Sequence, residues 1–169
     1  MAGRGVGLVY GGARVGLMGE LAEAVIDAGG QVIGVMPGHL VEHEIAHPGL
    51  TRLEVTSTMH ERKARMVELA DGVISLPGGL GTFEELLEVL TWNQLGLVSM
   101  PVVVLDVEGF FAPLIELLDG AVGSGFLRPA HRALLGRAET VEAALALALD
   151  APVIPAGSGA HKWPDLDQT

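Results

Sequence analysis

Two stretches of this chain carry residue types that phosphate handling and bond hydrolysis require. Leu76-Pro77-Gly78-Gly79-Leu80-Gly81-Thr82-Phe83-Glu84-Glu85 reads as a strand end, a glycine loop and a helix. Glycines have no Cβ, so backbone N–H groups can close on an anion, and the helix N-terminus that follows adds unpaired donors and about half a positive charge. The pattern is a phosphate cradle. It is not a Walker A loop, because no Gly-Lys-Ser/Thr closes it, and it does not spell the G-x-G-x-x-G dinucleotide fingerprint. Thr82-x-x-Glu85 is also the spacing of a capping box, in which Glu85 satisfies a backbone donor. Spacing alone therefore leaves Glu85 open between a helix cap and a catalytic carboxylate.

The second stretch is Met59-His60-Glu61-Arg62-Lys63-Ala64-Arg65-Met66, at a helix start. Arg65 has Glu61 four residues before it and Glu68 three after, which predicts solvated surface pairs. Arg62 has Thr58, Met59, Arg65 and Met66 as its helical neighbours, with no carboxylate among them. Its partner must then be a ligand, another segment or water. A further glycine cluster, Gly11-Gly12-Ala13-Arg14-Val15-Gly16-Leu17-Met18-Gly19, again joins a strand to a helix, as a tight turn or as a second ligand-facing turn. His43-Glu44-Ile45-Ala46-His47 matches the H-E-x-x-H zinc-peptidase pattern. Pro48-Gly49 stops a helix directly after it, and Leu50 and Leu53 stand where an extended motif needs Gly and His, so a polar loop is expected and no metal.

Elements that could position these residues follow from the hydrophobic pattern. Short apolar runs bounded by Gly or Pro predict strands at Gly5–Tyr10, Gln31–Met36, Arg52–Ser57, Gly72–Leu76, Pro101–Asp106 and Leu134–Ala138. Helical patterns lie between them at Met18–Ala28, Met59–Ala70, Thr82–Leu95, Phe110–Val122 and Val141–Leu149. Alternation of this kind predicts an α/β fold: a Rossmann-like parallel sheet with helices on both faces, a three-layer α/β/α arrangement. The 24 glycines, about twice the usual share of roughly 7%, gather at strand ends, where open parallel sheets bind ligands. Residues 1–150 are expected to form a single Rossmann-like domain, and 151–169, rich in Pro, Gly, Ser and Asp, a disordered tail.

Composition narrows the classes further. The chain has 169 residues, 49% of them hydrophobic, which suits one globular domain with a real core. A net charge of −11 argues against nucleic acid as a bulk ligand. With no cysteines there are no disulfides, thiol nucleophiles or Cys-based zinc sites. The most apolar run, Leu97–Leu105, is broken by Ser99 and Pro101 and falls short of the roughly 20 residues of a membrane span. No signal peptide is read at the N-terminus, so a cytoplasmic protein without membrane partners is expected.

Together, Gly-Gly-x-x-x-Gly-Leu-Met-Gly at 11–19, Met-His-Glu-Arg-Lys at 59–63 and Pro-Gly-Gly-x-Gly-Thr-x-x-Glu at 77–85 resemble the LOG (Lonely guy) family. These are cytokinin riboside 5′-monophosphate phosphoribohydrolases, formerly called lysine decarboxylases. The likeness runs from Gly5 to Leu149 and includes Leu-Thr-Trp-Asn-Gln-Leu-Gly at 90–96. The older name finds no support, since only Lys63 and Lys162 are present and the chain is small for a pyridoxal-phosphate enzyme. The resemblance implies hydrolysis of the N-glycosidic bond of N6-substituted adenosine monophosphates, with AMP itself as a variant substrate. It implies Arg62 and Glu85 as the catalytic pair and Gly78, Gly79, Gly81 and Thr82 around the 5′-phosphate. It further places Met59, Lys63 and Gly12 on the nucleotide, with no cofactor, and a homodimer. A nucleotide-binding module without hydrolysis is the alternative.

Two departures from the family pattern stand out. Ala13 replaces a glycine, which is tolerated where φ is negative. The chain also opens at what is usually the second strand, so it is expected to lack the first strand-helix unit of roughly 30 residues, most simply through a start assigned too far downstream.

Overall fold

The computed structural model describes residues 1–41 and 46–150; His43, Glu44 and the expected tail at 151–169 lie outside them. The chain divides into two compact units, one spanning Met1–Ala70 and the other beginning at Asp71.

The first unit opens with a 3-10 turn at Ala2–Arg4, then runs β1 (Leu8–Tyr10), α1 (Gly16–Asp27), β2 (Val32–Pro37), α2 (Gly38–Val41), β3 (Arg52–Thr56) and α3 (Met59–Leu69). Its sheet is parallel in the order β1-β2-β3, with Leu8 opposite Val32 and Val35 opposite Glu54. The middle strand reads as an unbroken apolar run because both its faces are covered, and Val32, Val35 and Met36 are fully buried. Leu8, Tyr10 and Val32 pack against Ala22 and Val25 of α1.

Tyr10 is an exception within that core. It is 6% exposed, and its hydroxyl has no hydrogen-bond partner among the described residues. Burial also pushes its phenol pKa upward. An unpaired buried hydroxyl costs on the order of 1 kcal/mol or more. Tyr10→Phe is accordingly expected to raise the unfolding free energy by about 1 kcal/mol, read from urea midpoints; a loss of stability would show that the hydroxyl is bonded in solution.

The second unit runs β4 (Val73–Ser75), α4 (Leu80–Leu95), β5 (Val102–Leu105), a 3-10 turn at Val107–Gly109, α5 (Ala112–Gly123), α6 (Pro129–Arg132), β6 (Leu135–Ala138) and α7 (Val141–Leu149). The sheet is parallel in the order β4-β5-β6. Every residue of β5 is buried. Val103 and Leu105 join Ala138 and, from α7, Ala144 and Ala148 in one core, while Val102 and Val104 turn to the opposite face by the two-residue period of a strand. Helix α4 ends on Gly96 in the left-handed conformation (φ 71°). There Asn93 Oδ1 accepts the Met100 N–H at 3.1 Å, so part of the 90–96 motif serves to stop the helix and return the chain to β5.

Each unit is thus a parallel sheet with helices packed around it, the expected Rossmann-like α/β/α class. Boundaries differ at several points. The first strand begins at Leu8, because Gly5 closes the preceding 3-10 turn at φ 69°. The fourth long helix begins at Ala112, after a 3-10 turn that uses Val107–Gly109. Helix α4 begins two residues before the expected Thr82, which bears directly on the site.

Candidate functional site

In the first unit the site residues sit at the end of β1 and the start of α3. Thr58 caps α3, its Oγ1 accepting the Glu61 N–H at 3.1 Å, while Glu61 Oε2 accepts the Ser57 N–H at 2.8 Å. This is a reciprocal box at Thr58-x-x-Glu61. Glu61 is therefore occupied, and the surface pair expected between Glu61 and Arg65 does not form. Arg65 instead grips Glu54 of β3 with two nitrogens and keeps the expected partner Glu68 at 3.0 Å. The Arg65 hydrogen bond holds the Glu54 carboxyl below the usual carboxylate range.

Arg62 is directed the other way, toward the sheet. Its Nε donates to the Val35 carbonyl at 3.1 Å, and its Nη1 lies 3.2 Å from Met59 Sδ. "Another segment" is thus one of its partners, as the lack of helical carboxylates required. The guanidinium lies over Gly11, where any Cβ would collide with Nη2. Gly12 follows at φ 84°, with its Cα close beneath Gly34, Met36 and Leu53. Ala13, fully buried, does not have a positive φ, so its replacement of glycine costs no backbone strain. Met59 stands beside Arg62, whereas Lys63 is only 5% exposed. A shallow acidic depression lined by Glu54, Thr56, Glu61, Arg65 and Glu68 holds none of the expected site residues and would repel a phosphate.

The last glycine of the same cluster has a packing role. Gly19 lies in α1 where a Cβ would run into the backbone carbonyl of Arg14. Backbone cannot move aside as a side-chain tip can, so Gly19→Ala is expected to cost about 2 kcal/mol, measured as a lowered denaturation midpoint; an unchanged midpoint would show that the turn at 14–16 relaxes freely.

In the second unit the glycine loop follows β4. Gly79 is the N-cap residue of α4 and makes no side-chain cap, and Thr82 and Phe83 N–H groups both reach the Gly79 carbonyl, at 3.1 and 3.2 Å. Thr82 and Glu85 both lie inside the helix, so the capping-box reading of this pair is overturned. The N–H groups of Leu80 and Gly81, in the first turn, have no acceptor within the helix. At Gly78 a Cβ would overlap Thr82 Oγ1, so glycine there leaves the Thr82 side chain its position. Gly79 and Gly81 face open space and have no positive φ. Neither internal packing nor backbone conformation calls for glycine at those two positions, and Gly81 is a poor helix former.

Sequence reasoning missed Asp106, at the carboxyl end of β5. Its buried carboxylate accepts the Phe111 N–H at 2.7 Å and the Arg137 Nε–H at 2.6 Å. This fixes a turn in which Glu108 takes the left-handed conformation (φ 52°) and sets Phe110 and Phe111 against Phe83 of α4. A carboxylate directly after an apolar strand was the available signal, but its arginine lies 31 residues away.

Parallel strands whose carboxyl ends open into glycine turns and a helix N-terminus define a Rossmann-like α/β protein of the nucleotide-binding kind. The family model described as "Possible lysine decarboxylase" matches residues 18–148. A cytokinin riboside 5′-monophosphate phosphoribohydrolase of Rhodococcoides fascians is 50% identical over 140 residues, covering 82% of this chain and 71% of that protein. The enzyme of the same name called LOG in Oryza sativa subsp. japonica is 47% identical over 137 residues, 81% of this chain and 57% of its own length. LOG2 of Arabidopsis thaliana, also so named, is 48% identical over 132 residues, 78% of this chain and 62% of its own. The chain belongs to this LOG family of phosphoribohydrolases, and it spans less than two thirds of the length of both plant relatives.

Proposed function

We propose that the chain hydrolyses the N-glycosidic bond of N6-substituted adenosine 5′-monophosphates, releasing the free base and ribose 5-phosphate. The observation that carries this reading is the start of α4, where Gly79 and Gly81 leave backbone donors open to an anion at a helix N-terminus. In it Gly78, Gly79, Gly81 and Thr82 hold the 5′-phosphate, with Gly12, Met59 and Lys63 contributing to the nucleotide site. Cleavage passes through an oxocarbenium-like sugar, so the Glu85 carboxylate stabilises the developing positive charge and orients or deprotonates the attacking water. Arg62 is the second catalytic residue of this reading.

Residues 1–150 act in this reading as one nucleotide-binding domain, and two copies form a homodimer. Exposed Leu80, Leu87 and Leu95 along α4, the first of them 88% exposed, support an apolar face that a second copy covers. Among the described residues no helix is long and apolar enough to cross a membrane.

A direct test compares isopentenyladenosine 5′-monophosphate with the riboside lacking its phosphate. Only the phosphorylated compound is expected to yield free base. Equal cleavage of both would remove the glycine loop from the account, and tight binding of the monophosphate without cleavage would select the binding module.

A further inference from the structure

The second histidine of the His43-Glu44-Ile45-Ala46-His47 segment takes no part in the reaction proposed above, yet its polar groups are engaged on three sides. His47 is 8% exposed. Its backbone N–H donates to the Gly12 carbonyl at 3.1 Å. Its Nδ1 accepts the Gly49 N–H at 3.1 Å, and its Nε2 lies 3.0 Å from Glu23 Oε2 of α1. An Nδ1 that accepts places the ring proton on Nε2, where it donates to Glu23, so the network itself assigns the tautomer. Both ring nitrogens are thereby committed to protein groups.

The contact with Gly49 closes a side chain onto the backbone two residues on, the geometry by which asparagine builds its own turns. It fixes the backbone at 47–49 and aims the His47 N–H at Gly12. Next to it, Ala46 and Ala13 form an antiparallel bridge. The Gly11–Gly12 turn is thus held from one side by His47 and from the other by Gly34, Met36 and Leu53. Gly11 is the backbone over which the Arg62 guanidinium lies.

We propose that His47 is a positioning residue which, through the Gly12 carbonyl, holds the Gly11–Gly12 turn against Arg62 and so sets the direction of its guanidinium. The kinetic consequence rests on the catalytic role given to Arg62 above; the structural consequence does not.

Two variants separate this role from simple core packing. His47→Asn keeps an acceptor for the Gly49 N–H, and His47→Leu keeps bulk alone. Misdirection of a catalytic group by a fraction of an ångström is costly, so His47→Leu is expected to lower kcat for isopentenyladenosine monophosphate about tenfold, with KM nearly unchanged, and His47→Asn to restore most of it. The Arg62 Nε–H resonance, assigned by its loss in Arg62→Gln, is expected to move in His47→Leu and stay in His47→Asn. An unmoved resonance in His47→Leu, or a change in KM alone, overturns the proposal. Should His47→Leu fail to fold, His47→Gln replaces it with the same readouts, since it reaches Glu23 but loses the acceptor for Gly49. If the wild-type chain releases no base, the phosphoribohydrolase reading fails, and the resonance comparison alone decides the role of His47.

Discussion

Glu85→Gln is expected to slow base release from isopentenyladenosine monophosphate by about a thousandfold, roughly 4 kcal/mol of transition-state stabilisation. The substitution keeps the shape of the side chain and removes only its charge and basicity. In the proposed site the phosphate rests on backbone donors at the start of α4 and not on residue 85, so AMP affinity is expected to stay within a few-fold of wild type. Glu85 lies inside α4, whose N-cap is Gly79 and not Thr82. Single-turnover kinetics with parallel calorimetry of AMP separate the two effects. Full turnover by the variant would remove Glu85 from the chemistry.

Gly11→Ala is expected to have the next largest effect, a loss of about a hundredfold in kcat with the fold intact. The space a methyl group would take at position 11 is occupied by Arg62 Nη2, with Met18 Sδ at 3.6 Å. Both are ends of flexible side chains and can move aside, and Gly11 has no positive φ that alanine would strain. The methyl group therefore displaces the guanidinium without disturbing the sheet. At Gly19 the obstacle is backbone, and there stability is what falls. A Gly11→Ala protein with a wild-type melting temperature and wild-type turnover would show that the direction of Arg62 is immaterial.

The strands were legible because a strand buried on both faces is an uninterrupted apolar run, and Val102–Leu105 is one. The start of α4 was not, because Gly79-Leu80-Gly81 reads locally as a loop and glycine's low helix propensity conceals the first turn. Thr58-x-x-Glu61 and Thr82-x-x-Glu85 have identical spacing, and only the position of the helix start makes the first a capping box and puts the second inside α4. Arg62 could be marked as lacking a helical carboxylate, but its contact with the Val35 carbonyl spans 27 residues and depends on sheet geometry. The same holds for Asp106 with Arg137 and for His47 with Glu23, whose pairing no local pattern encodes.

The central claim is that this chain breaks a glycosidic bond. Chromatography of wild-type protein with isopentenyladenosine 5′-monophosphate, following free base and ribose 5-phosphate together, tests it most directly. Hydrolysis predicts that the two products appear in equal amounts with repeated turnover. Substrate that binds and is recovered intact, with neither product formed, would contradict it.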